Sequence, residues 1–477
     1  MTGLKKQRVF AAWFALLFSV MILAGGPVEA VEDDASDSRF SFSGFVEMDH
    51  RINTRTNQDF HDAVKKSELR GKLKVRWGED NAHVLVTPDI RLSSALFTPD
   101  DDTCAYADEF EVARNGRISN RGYEISLDEA YLHLGGSRAR LRVGNQIYGW
   151  GTADVFNPTA YFNPYDMRET FFNDPDSMKL GVPSVSGMVF LDNLTVEAVW
   201  VPVHVPGIIA GDGRYWSIHM DNYQLPIVFD EVKPLESDVE NSGFGVRVSS
   251  TILGTDLSVS LYHGPDKDLL YRPAEILVEP GEPVSVRVVP ESHLVSYLGL
   301  DISKSLDKLV IQAELAVSPD KRAIMEQAPD DPAAIRFPYA VKRSVYMACA
   351  LGFNYFIPLH QWIEDHEGDT VLTMEWYKAT FIEGDRAEPV ISDLVSARFE
   401  DTYARGRVPV SLTCLVSLDR PGYAMWPKIG YDFQNGLSTS LSYIHLDGRS
   451  EAPNATQSLF YYFRANDTLV WNIHYDF

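Results

Sequence analysis

Leu469-Val-Trp-Asn-Ile-His-Tyr-Asp-Phe477 is the stretch on which the fold turns. Leu469, Trp471, Ile473, Tyr475 and Phe477 are apolar at every second position, while Asn472, His474 and Asp476 fill most of the places between. Successive side chains of a strand point to opposite faces, so this writing gives one apolar face and one mostly polar face. Such a strand could close a soluble β-sandwich or a membrane β-barrel, and the remaining sequence has to decide between them.

The other end of the chain predicts export. Lys5, Lys6 and Arg8 precede an apolar run from Val9 to Ala24, and Val28-Glu29-Ala30 offers small residues where a leader is cut. We expect a signal peptide over 1–30 and one mature domain over 31–477; an uncleaved anchor is the alternative. The run is shorter than the roughly 20 residues a membrane-crossing helix needs. No later segment has a comparable run, which excludes a helical membrane domain.

The formal charge of -24 excludes nucleic acid as a partner, because that affinity comes from Lys and Arg neutralising phosphates. Cys104, Cys349 and Cys414 are odd in number, widely spaced and without a Cys-x-x-Cys pair, so neither a zinc site nor a disulfide framework is expected. The 22 Tyr and 25 Phe suit the aromatic girdles of a barrel.

Period-two writing recurs along the chain. Phe40, Phe42, Gly44, Val46 and Met48 alternate with Ser41, Ser43 and Glu47, and Leu309, Ile311, Ala313, Leu315 and Val317 flank Gln312 and Glu314. Short turns are read at Glu79-Asp80-Asn81, Gly135-Gly136-Ser137, Asp192-Asn193, Gly254-Thr255, Ser305-Leu306-Asp307 and Arg420-Pro421-Gly422. Long polar or Pro-rich connections are read at 93–122, 149–185, 202–241, 264–291, 318–343 and 384–405. Alternation of short and long connections is the habit of outer-membrane barrels, whose periplasmic turns are short. The count is about 18 strands, with 16 as the alternative because the register is ambiguous after Pro358. The fold class expected is therefore all-β: a transmembrane antiparallel barrel in the outer membrane of a Gram-negative bacterium, surrounded by its lipids.

Two strands write cations on their second face. Where Leu69, Leu73, Val75 and Trp77 face lipid, Arg70, Lys72, Lys74 and Arg76 face the lumen; where Leu141 and Val143 face lipid, Arg138, Arg140 and Arg142 face inward. A cation at the lipid midplane costs roughly 2–4 kcal/mol, which rules out the reverse. These seven are candidate pore-lining residues that attract anionic solutes. The alternative is pairing with acids such as Glu47, Asp49, Asp128 and Glu129.

The connection 149–185 is the candidate constriction. It carries Trp150, Phe156, Tyr161, Phe162, Tyr165, Phe171 and Phe172, rings that a solvated loop would leave exposed, together with Asn157-Pro158 and Asn163-Pro164 turns. Its acids Asp154, Asp166, Glu169, Asp174 and Asp176 outnumber Arg168 and Lys179. We expect it to fold into the lumen and dock on the basic faces, with Trp150, Asp154, Phe156, Asn157, Asn163, Asp166 and Arg168 at the narrowing. The alternative is an ordered cap outside the barrel.

The run Arg142-Val-Gly-Asn-Gln-Ile-Tyr-Gly-Trp-Gly-Thr-Ala-Asp-Val-Phe-Asn-Pro158, followed by Asn163-Pro-Tyr-Asp166, resembles the signature of an uncharacterised proteobacterial outer-membrane β-barrel family. Its pattern is a Gly-Arg-Gln-like tripeptide, then Trp-Gly, an acid and Asn-Pro-Asp. Here the tripeptide is Gly144-Asn145-Gln146 and the ending is looser. The family is similar in outline to alginate-export and other substrate-specific porins, some of which accompany movement of hydrophobic compounds. The resemblance implies a barrel with an inward loop. The final strand also resembles the signal read by the barrel-assembly machinery, with Trp471, Ile473, Tyr475 and Phe477 as its residues.

No catalytic constellation emerges: there is neither Gly-x-Ser-x-Gly nor His-Glu-x-x-His. His360, Glu364, Asp365, His366 and Glu367 fall in one short connection and read as a solvated turn. Asp100-Asp101-Asp102 lacks the Gly and distal Glu of a calcium loop. The expectation is a passive channel for small anionic or hydrophobic carboxylate-bearing solutes, without metal or cofactor and not an enzyme. Two rivals are a docking barrel for a periplasmic or inner-membrane transporter and an outer-membrane lipid or polysaccharide hydrolase.

Overall fold

The computed structural model describes residues 39–55, 64–93, 111–120, 122–169, 175–208, 215–216, 227–278, 280–281, 284–325, 336–363, 366, 368–383, 387, 389, 391–449 and 458–477. The leader, Asp100-Asp101-Asp102, Cys104, Phe171, Phe172, Asp174, Glu364, Asp365 and Glu367 lie outside these. The first half of the barrel is β1 (Phe40–Asn53), β2 (Val64–Glu79), β3 (Ala82–Ser93), β4 (Tyr123–Gly135), β5 (Ala139–Gln146), β6 (Val182–Leu191), β7 (Leu194–Val201), β8 (Gly243–Ile252) and β9 (Thr255–Pro265). The second half is β10 (Leu294–Leu306), β11 (Leu309–Ile324), β12 (Val341–Ile357), β13 (Thr370–Phe381), β14 (Asp393–Tyr403), β15 (Val408–Ser417), β16 (Gly422–Asp432), β17 (Leu437–Gly448) and β18 (Thr468–Asp476).

Each strand pairs antiparallel with the next, and β18 pairs with β1 from Phe45↔Asp476 to Asn53↔Thr468, which closes an 18-strand barrel. The seam ends where Gly44 and Phe477 exchange backbone hydrogen bonds of 2.9 and 3.0 Å. A Cβ on Gly44 would overlap the Lys72 carbonyl oxygen and stand 3.0 Å from the Phe477 ring, so glycine permits this tight closure. The strands Glu111–Val112 and Ile118–Asn120 extend the sheet beside β4.

The burial pattern separates a membrane barrel from a sandwich. In β9, Val259 and Leu261 are 48% and 59% exposed, while Ser258 and Ser260 are 3% and 1% exposed. A soluble protein buries the apolar set; here it faces outward, as lipid requires. Closure also leaves no unpaired sheet edge in the hydrocarbon layer. We expect Val259→Arg to destabilise the folded barrel by roughly 2–4 kcal/mol, and Ser440→Arg, on the inner face of β17, to cost far less. Urea unfolding in detergent micelles checks this; equal losses would contradict the assignment of faces.

Connections at one end are short, except for 358–369 between β12 and β13. Leu253 (φ 52°) and Gly254 (φ 69°) alone join β8 to β9, both in the left-handed region that a two-residue hairpin of this kind uses. At the other end connections are mostly long. Two readings need correction. The segment 384–405 is not a single connection: it contains β14, whose outward set Val395, Ala397, Phe399 and Tyr403 is interrupted by Asp401, and whose Arg398 and Glu400 mask the alternation. Arg420-Pro421-Gly422 is a short connection at the long-loop end, so the strict alternation of lengths fails there. The long connections also form a small sheet of their own, with Ile227–Phe229 parallel to Ser285–Glu291, which pairs antiparallel with Leu270–Leu277.

A candidate channel lumen and its inward loop

The connection between β5 and β6 spans 147–181, so residues 182–185 belong to β6 rather than to the loop. Its first half crosses the barrel interior. Trp150 meets Tyr161 and Phe162 at ring separations of 6.3 and 4.8 Å, and Tyr161 stacks between Tyr262 and Tyr297 at 5.4 and 5.0 Å. Gly245 on β8 and Gly299 on β10 provide the room. A Cβ at Gly245 would overlap the Phe162 ring, and one at Gly299 would overlap the Tyr161 hydroxyl. These rings and the wall behind them form a buried aromatic cluster.

Backbone donors then fix residues 152–159. Glu314 on β11 accepts the N–H groups of Thr152, Ala153 (2.6 Å) and Thr159 (3.2 Å). Glu375 on β13 accepts those of Asp154 (2.8 Å), Val155 (3.2 Å) and Phe156 (2.7 Å). The Thr159 hydroxyl reaches Asp301 at 2.5 Å and Glu314 at 3.0 Å. Each carboxyl group satisfies three N–H groups that would otherwise be stranded. The Trp150 indole donates to Glu197 at 2.9 Å, and Asn354 donates to Asp154 at 2.9 Å. Phe156 packs on Tyr377 at 4.8 Å. The Asn157 carbonyl accepts from Lys267 at 3.2 Å.

Asn163 ties the loop together. Its Oδ1 accepts the Tyr148 N–H (2.8 Å), and its Nδ2 donates to the carbonyls of Gln146 (3.0 Å) and Leu180 (2.8 Å). Beyond it the loop turns to the β1–β4 side. Arg168 pairs with Asp166 (2.5 Å) and with Glu124 (2.9 Å), which Arg117 also binds (3.0 Å). Glu169 bridges Arg51 (2.7 Å) and Lys66 (2.8 Å).

The loop packs on inner-face side chains of the barrel, and it meets the β2 basic face only through Lys66. The aromatic half binds an acidic wall through backbone N–H groups. The acidic half binds Arg51, Lys66 and, through Arg168 and Glu124, Arg117; Lys66 stands on the inner face of β2, four positions before Arg70, but none of the seven cations named from the sequence is among these partners. The reason is local: acids on β1, β3, β4 and the turn after β2 pair with three of the β2 cations. Arg70 binds Asp89 (2.5 Å) and Glu47 (3.3 Å), Lys72 binds Asp128 (2.6 Å), and Arg76 binds Asp80 (2.6 Å). The β5 cations differ. Arg140 lies 2.8 Å from the Met188 sulfur and over the Phe190 ring, and Arg142 donates to His133 (3.3 Å) and lies over Tyr131. Arg138 and Lys74 are exposed.

Burial opposes ionisation of Glu169, yet Arg51 and Lys66 outweigh it and lower its pKa from 4.5 to about 2. A depressed carboxylate stabilises the fold above its ordinary value, and the stabilisation is lost as pH falls toward the folded-state value. The melting temperature of Glu169→Gln is therefore expected below that of the unsubstituted protein at pH 7. The gap closes as pH falls from 4.5 toward about 2, which thermal denaturation at a series of pH values measures. A gap independent of pH would contradict the ion-pair reading.

Sequence reasoning missed a second inward piece. Ser458 caps the short helix Leu459–Tyr462, and Phe460 and Phe463 are buried with Trp216 against Leu394, Leu415, Ile444 and Leu446. Tyr215 accepts from Asn53 (2.7 Å) and meets Thr468 (2.9 Å). Between this piece and the loop lies a cavity of about 1200 Å³. Phe156, Tyr377, Phe381, Trp426 and Phe460 line part of it. Ser396, Ser411, Ser440 and Ser442, with Arg398 and Lys428, line another part. Among the described residues no group of His, Cys, Asp and Glu is arranged to hold a metal ion. The final strand presents Trp471 and Phe477 outward, 43% and 47% exposed, at the β1 seam.

A family model described as a protein of unknown function (DUF1302) matches residues 15–261. No curated protein matches the sequence. Among solved structures, Acinetobacter baumannii OccAB3 is 12% identical, with a TM-score of 0.47 over 92% of this chain and 99% of that one. Pseudomonas aeruginosa OccK2 (OpdF) in complex with glucuronate is 10% identical, with a TM-score of 0.48 over 92% and 96%. Salmonella typhi OmpF in complex with daunomycin is 8% identical, with a TM-score of 0.41 over 92% and 97%.

Proposed function

The chain belongs to the DUF1302 family of proteins of unknown function, and we propose that it is an outer-membrane channel passing small solutes passively through a lumen narrowed by the 147–181 loop. The observation that carries the proposal is the cavity of about 1200 Å³ left open beside the docked loop. A barrel serving only as a docking platform has no need of an interior lined for contact with solute. The lining is amphipathic, with rings and aliphatic groups on one part and hydroxyls with Lys428 and Arg398 on another, while Glu47, Asp49, Asp154 and Asp268 line it elsewhere. That favours solutes combining an apolar body with a carboxylate, since cations lining a pore attract anions and apolar walls lower the cost of desolvating the body. Trp150, Asp154, Phe156, Asn157, Asn163, Asp166 and Arg168 act as the scaffold of the narrowing, and Phe156 and Asp154 face the passing solute. Arg138, Arg140 and Arg142, toward the short-turn end, supply the positive field there.

Liposome swelling with the purified, folded barrel tests this. Swelling in isosmotic solutions of small monocarboxylates is expected to exceed that in neutral solutes of equal size. A folded barrel that admits no solute would overturn the channel and favour the docking role.

A further inference from the structure

We propose a discrete binding subsite for a small monocarboxylate on the inner face of β5–β8, roofed by Ile147–Trp150. The inference takes its place on a solute path from the channel reading above, but the site is defined by its own geometry.

A cavity of about 240 Å³ lies here, apart from the larger one. Arg140 and Arg142 from β5 and Arg247 from β8 line it, and Glu197 from β7 is its one acid. Glu197 already accepts the Trp150 indole N–H at 2.9 Å. Arg247 is engaged from behind, by Ser258 at 3.1 Å and Asp301 at 3.7 Å. Arg140 and Arg142 have no carboxylate within ion-pair distance among the described residues. Their neighbours are a thioether, a histidine ring nitrogen and two aromatic faces, all weak partners for a guanidinium. Glu129 is near enough to feel the charge of Arg142, but it is shared with Lys74 and Lys72.

Two guanidinium forks with no acid in ion-pair contact, Glu197 being held by the Trp150 indole, leave room for an anion to complete them, and the planar fork matches a carboxylate. The rest of the lining says what the carboxylate is attached to. Tyr148 and Trp150 offer ring surfaces, while Gln146 and Ser186 offer polar groups. The volume falls below the roughly 300–1,000 Å³ of sites for drug-sized ligands, so the ligand is a single-ring or short-chain acid such as benzoate. The β2 cations give the contrast, each of Arg70, Lys72 and Arg76 being closed by its own acid.

The test is calorimetric titration of the folded barrel in detergent with benzoate and with benzamide, its neutral counterpart. Benzoate is expected to bind saturably and benzamide much more weakly. Arg140→Gln and Arg142→Gln should each weaken benzoate by about tenfold or more, and Arg76→Gln should leave it unchanged. Arg142→Lys, which keeps the charge but not the fork, should fall between and guards against a misfolded Gln variant. No saturable benzoate binding, equal binding of benzamide, or binding indifferent to Arg140 and Arg142 would overturn the site. Absent binding with swelling intact removes the subsite and leaves the channel; binding without swelling sustains the subsite and removes the channel.

Discussion

Replacing Glu314 and Glu375 together by alanine is expected to free the loop and raise single-channel conductance several-fold. The two carboxylates accept six backbone N–H groups from residues 152–159. At roughly 1 kcal/mol net for a hydrogen bond, losing three of the six shifts the docked state against the free state by on the order of a hundredfold. Both side chains stand on the wall, so the barrel ladders β10–β11 and β13–β14 survive their removal. Planar-bilayer recording measures the conductance, and limited proteolysis reports whether residues 150–160 become accessible. The glutamine pair should have a smaller effect, because an amide oxygen still accepts, although without charge. Unchanged conductance and unchanged protection in the alanine pair would contradict the proposed latch.

The second large effect is expected at Gly299. A Cβ there would overlap the Tyr161 hydroxyl and stand 3.0 Å from Thr159 Cγ2. Gly299→Leu therefore cannot coexist with Tyr161 stacked between Tyr262 and Tyr297. Overpacking of this kind costs typically 1–3 kcal/mol, and here the flexible partner is the loop rather than the wall. The loop should lift, melting should fall by several degrees, and proteolysis should accelerate at the loop. Gly187→Ala is the control, because a Cβ at Gly187 meets nothing within 4 Å. Equal behaviour of the two variants would show that the loop does not occupy the bed that Gly245 and Gly299 provide.

The barrel was legible because lipid imposes period two on every spanning strand. The last strand, the Leu69–Trp77 stretch and the Ala139–Val143 stretch all carry it, and each pairs as the writing implies. β14 was hidden because its charged inner and terminal positions interrupt a short apolar set. The inward fold of the loop was legible from rings that water would not tolerate, and Trp150, Tyr161 and Phe162 are indeed buried. What holds them was not legible. Glu314 and Glu375 lie about 160 and 220 residues from the amides they accept and read only as polar positions in alternating strands. Gly245 and Gly299 resemble any strand glycine until the rings above them are known. The basic faces read alike in sequence, yet Asp89, Asp128 and Asp80 close those of β2 and no acid closes Arg140 or Arg142. Neighbouring strands decide that difference, and their register is set by the whole barrel.

The most direct measurement is single-channel conductance of the unsubstituted barrel beside one lacking 151–180, both shown to be folded by heat-modifiable mobility. The expected result is a small, selective conductance that becomes larger and less selective on deletion. Equal conductance and equal selectivity in the two folded barrels would contradict a lumen narrowed by this loop.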